Sequence, residues 1–554
     1  EDNLIAKFGE GERFQSLELK NSIDFAEGGD HGLFLYGAIS NYDGADANDS
    51  PLVYGLSDTT PWGVDVNAGE QSAVAPPNNR GAYRDLAKIK LHADYQYRDF
   101  RAWARNTRGG EMLTWEHKVF YPTPNGSATA ATDPGQLLEN GVGYQQLVFD
   151  LSQRWVLADN LWLDLKGGYD TFDYERILFD NNFVTKPPET HREEQYLLRS
   201  TLTWQASHRQ SMALGAEYAL SRYGLDSPGY PNTPPYAFNR LEMQPWNQYA
   251  IGVFGEHQWQ FTDSLTNFIG VRFDKDQYTT PMWSPRWAMV YTPSADDTIK
   301  GILSRSVRKN NAEELRVEHL ADKEPDPERI SSAELIYERQ LGNGLALEIN
   351  SFYSDVEIIG FNSTTLSTNK VADYTYGGAE LGINYQGGSV DLYFSHGWSK
   401  LNEFNIVPGA RQRFSVANEE GYGNDLNNWS NHITKLAGAW QLDGNWRLSG
   451  DVRVFWDYPG ARQSTQFAVD QRDQNPNSSS TALSDPGYKE PFEEAIFLDL
   501  GVHYQLPGKG EISLNGYNLL GLIDDSYNKR MYLNNTQDYR AQAAAVGLSY
   551  YQPF

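Results

Sequence analysis

Residues 329–354 read RISSAELIYERQLGNGLALEINSFYS, and their pattern gives the clearest indication of the fold. Within it, Leu335 and Tyr337 alternate with Glu334 and Glu338. Successive side chains of a β-strand point to opposite faces of the sheet, so an alternation with a period of two indicates a strand. The stretch therefore predicts a sheet with one apolar face and one polar face.

Two different connections flank this strand. A tight turn at 341–344 follows it, and a long polar loop over 307–328 precedes it. Hairpins with a tight turn at one end and a long polar loop at the other are typical of a barrel that crosses a membrane. For this unit we predict strands over 298–306, 329–340 and 345–354.

The same unit recurs along the whole chain. Ten short turns containing Gly, Asn, Asp or Ser alternate with about eleven other connections. The long ones are predicted over 44–82, 106–143, 173–194, 224–246, 307–328, 356–372, 400–430, 458–493 and 517–540, and short ones on the same side near 9–11 and 275–281. This pattern predicts an all-β fold with one domain over residues 1–554. That domain is a transmembrane antiparallel β-barrel of about 22 strands, with long extracellular loops and short periplasmic turns.

The composition excludes several classes of function. The 554 residues include no cysteine, so there is no disulfide, thiol nucleophile or thiolate metal site. The formal net charge is −27. Nucleic acid is not expected as a partner, because contact with phosphates needs a basic face. The sequence has no run of 18 apolar residues, which a membrane-spanning helix requires.

Charged side chains of both signs occupy the polar parity of the predicted strands. They include Arg101, Arg105, Asp164, Lys166, Lys300, Glu334, Glu338, Glu348, Arg447, Asp451 and Arg453. A charge that faces lipid near the middle of the membrane costs roughly 2–4 kcal/mol. The polar face is therefore predicted to line the lumen as a lattice of ion pairs. Aromatic side chains beside the short turns, such as Trp155, Trp259 and Trp440, predict a girdle at the lipid headgroups.

Several segments taken together resemble the barrel of a TonB-dependent outer-membrane receptor. They are 284–287 with 290–293, 304–308 with 313–315, 327–330 with 334–338, 515–520, and the terminal Phe554. Asn310 stands where proline is usual in the family. The resemblance implies uptake of a scarce nutrient through the outer membrane of a Gram-negative bacterium. The implied ligand is an iron chelate such as a siderophore, or else haem or another bulky molecule.

The resemblance also implies partners. They are the outer-membrane lipid and lipopolysaccharide, a plug domain inside the barrel, and the TonB system. Arg308, Glu334 and Glu338 are the lumenal groups that it places opposite the plug. Residues 3–8 already read as a barrel strand and the plug motifs are not found. We therefore expect the plug to be absent from this chain, whether removed, carried on a separate polypeptide or not used.

Ligand recognition is expected at aromatic and cationic side chains in the long loops and the upper lumen, because rings and cations suit iron chelates or sugars. The candidates are Trp62, Tyr83, Tyr230, Tyr236, Trp246, Arg308, His319, Tyr422, Trp429 and Tyr458. His319 is included because haem-uptake members of the resembled family place a histidine in a similar loop.

The sequence shows no pattern for a metal, a cofactor or catalysis. The ten histidines are scattered, and no pair has the spacing of metal ligands. Asp43, Asp46 and Asp49 lack the spacing of a calcium-binding EF-hand loop, so we interpret these acids as solvated rather than as a calcium site. A nucleophile motif and a phosphate-binding glycine loop are also missing, so we predict no catalytic residues and no enzyme.

Two other functions fit the same pattern. The first is a plugless pore or export conduit that a separate protein closes, and the second is a secreted β-protein that binds polysaccharide. Conductance in a planar bilayer distinguishes a permanently open conduit from a gated transporter. Solubility as a monomer without detergent would favour the secreted protein.

Overall fold

The computed structural model describes residues 3–10, 14–25, 30–42, 88–118, 139–176, 189–225, 245–362, 365, 367–408, 429–460, 494–524, 532–534, 537–539 and 544–553. In these residues, 22 strands form a single antiparallel sheet. The sheet closes on itself, because β1 (Asn3–Glu10) is hydrogen-bonded both to β2 (Phe14–Asp24) and to the last strand, β24 (Ala545–Pro553). The predicted closed barrel of about 22 strands is confirmed.

The other strands of the barrel follow one another around the cylinder in chain order. They are β3 (His31–Tyr42), β4 (Lys88–Tyr97), β5 (Phe100–Lys118), β6 (Glu139–Ala158), β7 (Leu161–Arg176), β8 (Glu189–Ser207), β9 (Gln210–Leu225), β10 (Trp246–Thr262), β11 (Leu265–Asp276), β12 (Met282–Tyr291), β13 (Asp297–Arg308), β14 (Glu328–Gly342), β15 (Leu345–Asn362), β16 (Ser367–Gln386), β17 (Val390–Ile406), β18 (His432–Gln441), β19 (Trp446–Trp456), β20 (Glu494–Gln505) and β21 (Glu511–Tyr517). Two short strands, β22 (Tyr532–Asn534) and β23 (Gln537–Tyr539), form a separate hairpin between β21 and β24.

The hairpin of β14 and β15 shows why this sequence turns where it does. Gly342, Asn343 and Gly344 have φ angles of 81°, 52° and 78°. That left-handed region favours glycine and tolerates asparagine. A Cβ atom on Gly344 would also lie only 2.0 Å from the carbonyl oxygen of Gln386, so the close approach of β16 excludes any side chain there. β14 contains the predicted strand 329–340 and extends it by one residue at the start and two at the end.

The lengths of the connections follow the predicted alternation. The ten turns at one end of the barrel are short, and Asn3 and Pro553 pair at that same end. The other end carries eleven connections. They include the two that were predicted to be short near 9–11 and 275–281, which the strand ends place at 11–13 and 277–281. Because each barrel strand joins a turn of one end to a connection of the other, this order yields an even number of strands.

One predicted long loop is wrong. Residues 356–372 were expected to be irregular, yet β15 continues to Asn362 and β16 begins at Ser367. The ladder of backbone hydrogen bonds continues beyond the point where the apolar alternation fades. Backbone N–H and C=O groups pair whatever the side chains are, so a strand can continue after the alternation ends. For the same reason β5, β7 and β17 run into segments that were predicted to be loops.

The loop over 307–328 also contains an element that the sequence analysis missed. Helix α1 (Ala312–Leu320) begins after Asn311, whose side chain accepts the N–H of Glu314 at 2.8 Å. A second helix, α2 (Leu520–Ile523), is a single turn after β21. No helix among the described residues has both the length and the apolar character that crossing a membrane requires.

One face of the cylinder is apolar and uncovered. Leu214, Ile269 and Leu335 are 60%, 55% and 56% exposed, and each belongs to the apolar parity of its strand. No second sheet packs against this face in the part of the chain that the structure describes. The leucine and valine side chains of this parity thus surround a closed cylinder, which leaves the opposite parity to line the lumen.

Candidate functional site

Ion pairs line the inner wall of the cylinder. Glu217 of β9 lies between Arg199 of β8 and Arg272 of β11, with the Arg199 Nε–H donated to its Oε2 at 2.6 Å. Arg272 Nη2 lies 3.1 Å from Glu217 Oε1 and 2.7 Å from Asp274 Oδ1. Further pairs are Arg101–Asp94, Arg154–Asp164, Lys166–Asp150, Lys300–Glu338 and Arg453–Asp499. The predicted lattice of lumenal ion pairs is present in the described strands.

One sector of this inner wall is acidic. Glu338 of β14 and Glu348 of β15 lie directly opposite each other, and Glu334 lies on the same face of β14. Glu380 of β16 joins this group, while Lys300 of β13 forms an ion pair with Glu338. Like charges that face each other across a strand pair destabilise it unless cations lie between them. The sector is therefore suited to cationic groups of a partner inside the lumen.

Arg308 lies at the upper rim of that sector. It is the last residue of β13 and pairs with Glu328, the first residue of β14, both in backbone register and as an ion pair. Its side chain is nevertheless 79% exposed. Arg308 thus presents a cation to the open end of the lumen.

Helix α1 rests on an aromatic platform at the extracellular end of the inner wall. Trp246 of β10 stacks on Tyr223 of β9, with ring centroids 4.3 Å apart and planes inclined by 25°. The guanidinium carbon of Arg316 lies 4.9 Å from the Trp246 ring. Tyr278 contacts Trp246 on one side and His319 on the other, with centroid distances of 5.9 and 4.6 Å. The structure therefore brings together two of the predicted ligand residues, Trp246 and His319.

Polar contacts attach α1 to the barrel near both ends of the helix. Asp276 of β11 is fully buried, and its carboxylate accepts from Lys309 Nζ at 2.7 Å and from Gln248 Nε2 at 2.9 Å. At the other end, the buried Glu318 of α1 accepts the hydroxyl hydrogen bond of Thr368 in β16. The helix thus joins the top of β10 and β11 to the top of β16 across the strands between them.

A second aromatic cluster lines the inner face of β16 and β17. Tyr374 stacks on Phe404 with centroids 5.9 Å apart and planes inclined by only 11°. Tyr376 meets the ring of Trp429 at 5.7 Å, and the indole N–H of Trp429 is donated to Ser399 Oγ at 3.1 Å. Of the predicted ligand residues, Trp429 belongs to this cluster. Tyr374, Tyr376 and Phe404 were not among the ligand residues predicted from the sequence.

Tyr458 lies just beyond β19 and is only 3% exposed. Burial raises the pKa of Tyr458 to about 12. Its phenol stays protonated at neutral pH and is hydrogen-bonded to the side chain of Ser430. The five other ligand candidates, Trp62, Tyr83, Tyr230, Tyr236 and Tyr422, lie outside the described residues, as do Asp43, Asp46 and Asp49.

The sequence did contain a signal for α1. Asn311 followed three residues later by Glu314 is a capping-box pattern, which marks the start of a helix. The aromatic partners of Trp246 carry no such signal. Tyr223 comes from the neighbouring strand β9 and Tyr278 from the connection after β11, and the sequence does not state which residues the strand register brings together. Within the described ranges, no group of three or more His, Asp or Glu side chains is arranged to hold a metal ion.

Comparison with known proteins agrees with this architecture. A family model described as "TonB dependent receptor-like, beta-barrel" matches residues 78–519. A search of curated proteins found no match.

Solved structures similar to this chain include three receptors. The siderophore receptor PirA from Acinetobacter baumannii is 13% identical, with a TM-score of 0.64, and the match covers 100% of this chain and 80% of that one. The FrpB iron transporter from Neisseria meningitidis is 11% identical, with a TM-score of 0.67 and coverage of 100% and 81%. The ferric enterobactin receptor PfeA from Pseudomonas aeruginosa is 13% identical, with a TM-score of 0.64 and coverage of 100% and 80%. At these identities the likeness establishes the fold.

Proposed function

Because this chain belongs to the TonB-dependent receptor family, we propose that it takes up a scarce, bulky nutrient through the outer membrane. The observation that carries the proposal is the closed barrel of 22 strands, together with the family model over residues 78–519. A 22-stranded barrel encloses a lumen wide enough for a large solute and a plug. The family is one of receptors and transporters rather than enzymes.

We propose an iron chelate, such as a ferric siderophore, as the ligand. Support comes from the chemistry of the extracellular end of the inner wall, where aromatic rings and cations are both present. Trp429 and Tyr376 offer ring faces and Arg308 an exposed cation. Rings bind planar organic ligands, and cations bind the negative charge that most ferric chelates carry. The solved structures with the same fold include proteins named as siderophore and ferric enterobactin receptors.

The buried candidates take a supporting role in this proposal. Trp246 and Tyr458 are 9% and 3% exposed, so neighbouring side chains already cover their faces. Trp246 holds α1 in place, and α1 presents His319 at its exposed end. The candidates outside the described residues, Trp62, Tyr83, Tyr230, Tyr236 and Tyr422, stay part of the proposed ligand surface.

A plug domain and the TonB system are the proposed partners. Glu334 and Glu338 face the lumen in the acidic sector, and we assign them to contacts with cationic side chains of the plug. Lys300 neutralises only part of the charge of this sector, which comprises Glu334, Glu338, Glu348 and Glu380. Movement of the plug, driven through TonB, would then open the path for the nutrient.

An uptake experiment tests the proposal. A Gram-negative host that lacks its own siderophore receptors is made to produce the full receptor and is grown in iron-limited medium. Ferric enterobactin, a ferric hydroxamate and haem are supplied one at a time. We expect growth on at least one chelate, and no growth when the TonB gene of the host is deleted. Failure to grow on every iron source, despite receptor folded in the outer membrane, would contradict the proposal.

Matched tryptophan variants localise the ligand surface. Trp429→Ala removes a ring from the inner face, whereas Trp283→Ala removes a 55% exposed ring from the outer face near the same end of the barrel. We expect uptake to fall in Trp429→Ala and to be unchanged in Trp283→Ala. Equal uptake by both variants would remove Trp429 from the proposed surface.

A further inference from the structure

Two histidines from neighbouring strands meet on the outer face of the barrel. His396 lies in β17 and His432 begins β18, and the Nδ1 atom of His432 is 3.3 Å from the Nε2 atom of His396. His432 has the same parity as Leu436 and Trp440, which are 49% and 52% exposed. The pair lies at the end of the strands that carries the long connections, about 26 Å along β18 from Trp440 at 3.3 Å per residue. It is therefore at the upper edge of the apolar band.

We propose that His396 and His432 form a binding site for a divalent first-row transition ion such as Cu²⁺ or Zn²⁺. When each metal–nitrogen bond measures about 2.0–2.1 Å, two nitrogen ligands lie roughly 3.3 Å apart on a tetrahedral ion such as Zn²⁺ and roughly 2.9 Å apart on adjacent positions of a square-planar ion such as Cu²⁺. The two facing ring nitrogens are 3.3 Å apart, which matches the first separation and requires a small approach for the second. Imidazole is a ligand that copper, zinc and nickel all accept.

Side chains next to the two histidines hold both imidazole rings in an orientation suited to metal binding. The Nδ1 atom of His396 lies 2.9 Å from Thr434 Oγ1. When His396 donates its Nδ1–H to this oxygen, the Nε2 lone pair is left free to bind an ion. Thr434 also accepts the indole N–H of Trp456 at 3.2 Å, and its two lone pairs accommodate both donors. Such an outer partner fixes the tautomer and the orientation of a ligating histidine.

Aromatic stacking holds the second ring. His432 lies on Trp456 with centroids 3.9 Å apart and planes inclined by 7°. Both histidines also belong to paired strands, with His396 opposite Thr434 and His432 opposite Trp398 in the register of β17 and β18. The site therefore needs little rearrangement to bind an ion.

The coordination sphere sets the expected order of affinities. Two protein ligands are present and water completes the sphere, because no group of three metal-ligating side chains occurs among the described residues. A site of two imidazoles follows the general order in which Cu²⁺ binds more tightly than Zn²⁺. The outward parity separates this site from the inner wall, so ion binding is independent of the path of the nutrient.

A metal titration tests the proposal. The folded receptor, purified in detergent without a histidine tag, is titrated with CuCl₂ or ZnCl₂, and the copper complex is examined by electron paramagnetic resonance. We expect one saturable Cu²⁺ site with two nitrogen ligands, and weaker binding of Zn²⁺. His396→Ala and His432→Ala should each abolish it. Thr434→Val should weaken it by about 10-fold, the lower end of what loss of an outer partner costs.

A matched control excludes binding by isolated histidines. His208 lies exposed in a two-residue turn at the opposite end of the barrel, and His208→Ala should leave the copper site unchanged. Heat-dependent migration on gels confirms that each variant is folded. Absence of the two-nitrogen signal from the unchanged receptor would overturn the proposal. So would its persistence in both His396→Ala and His432→Ala.

Discussion

At the scale of single residues, a buried carboxylate attaches the extracellular connection that carries α1 to the barrel. Asp276 is fully buried and accepts hydrogen bonds from Lys309, from Gln248 and from the backbone N–H of Tyr278. Removal of one member of a buried charge pair leaves the other without compensation. The loop that carries α1 depends on this carboxylate because Lys309 lies two residues before Asn311, the N-cap of the helix.

We predict that Asp276→Ala releases the segment 309–327 from the barrel. The loss of a buried charge partner costs up to about 3–5 kcal/mol, and less here because Lys309 is 41% exposed. Limited proteolysis of the receptor in detergent measures the effect as faster cleavage within 309–327. Asp263→Ala is the matched control, since Asp263 is 92% exposed in a short turn and also pairs with an arginine. Equal cleavage of both variants would contradict the assigned role of Asp276.

A pH-dependent contribution is expected in the short turn before β19. Asp443 Oδ1 accepts the backbone N–H groups of Asn445 at 2.7 Å and Trp446 at 2.8 Å. The hydrogen bond from Asn445, followed by that from Trp446, holds the pKa of Asp443 below its ordinary value of 3.8. A folded-state pKa below the unfolded value means that the stabilisation is present above that ordinary value and is lost as the pH falls through the folded pKa.

Urea unfolding in lipid vesicles at a series of pH values measures this contribution. The stability difference between the unchanged receptor and Asp443→Ala should be constant between pH 5 and 7 and shrink as the medium becomes more acidic than the ordinary pKa of 3.8. Asn445→Ala is the control, because it adds and removes no titrating group. A difference for Asp443→Ala that does not change with pH would exclude the carboxylate as the cause.

The sequence identified some site residues but not their partners. Glu334 and Glu338 were assigned to the polar face from their alternation with apolar residues, and Arg308 from the family resemblance. All three share the inward parity of β13 and β14, while their contact with a plug stays a prediction. The platform of Trp246 and the pair of His396 and His432 join residues of different strands. Contacts of this kind depend on strand register, which a single sequence does not reveal.

At the scale of elements, the turns are the best-determined parts of the sequence. We predict that Gly344→Ala lowers the yield of folded barrel. Its φ of 78° costs a residue with a Cβ about 1–2 kcal/mol, and the new atom would also meet the Gln386 carbonyl oxygen at 2.0 Å. The folded fraction is measured by heat-dependent migration on gels after refolding into detergent.

Gly388→Ala is the matched control for that experiment. Gly388 lies in the next short turn, and a Cβ on it would have no neighbour within 4 Å. It should refold like the unchanged protein. Similar yields from Gly344→Ala and Gly388→Ala would show that the turn after β14 does not need glycine.

Turns were predictable because they need particular residues, whereas strand ends were not. The positions of the ten short turns could be read from Gly, Asn, Asp and Ser, which turns favour. In the turn after β14, left-handed φ angles also restrict the choice of residue. The extension of β15 to Asn362 was missed because hydrogen bonds of the backbone continue without any apolar pattern. Helix α1 was missed because its capping residues lie in a polar segment that reads as loop.

At the scale of the whole molecule, a closed barrel of 22 strands is wider than inward-facing strand side chains can fill. Barrels of 22 strands that serve as transporters hold a plug in the lumen. We predict that the polypeptide of residues 1–554 alone gives large, steady currents in a planar lipid bilayer. A plug domain inside the lumen should reduce these currents. A bilayer that stays closed with the 554-residue polypeptide alone would contradict this prediction.

The global architecture followed from two features of the sequence, the alternation of apolar and polar residues and the alternation of short turns with other connections. In β14 the first feature correctly assigned Leu335 to one face of the sheet and Glu334 and Glu338 to the other. The second feature gave the number of strands. The identity of the transported nutrient does not follow from alternation, because it depends on side chains in long connections that no periodic pattern constrains.

Scanning β14 with spin labels tests most directly whether alternate side chains of a strand face the lipid and the lumen. The chain has no cysteine, so single cysteines introduced from Ala333 to Glu338 are labelled without background. Oxygen concentrates in lipid, and a water-soluble nickel chelate concentrates in the lumen. We predict high oxygen accessibility at 333, 335 and 337, and high nickel accessibility at 334, 336 and 338. Accessibilities that do not alternate with a period of two along this strand would contradict the account.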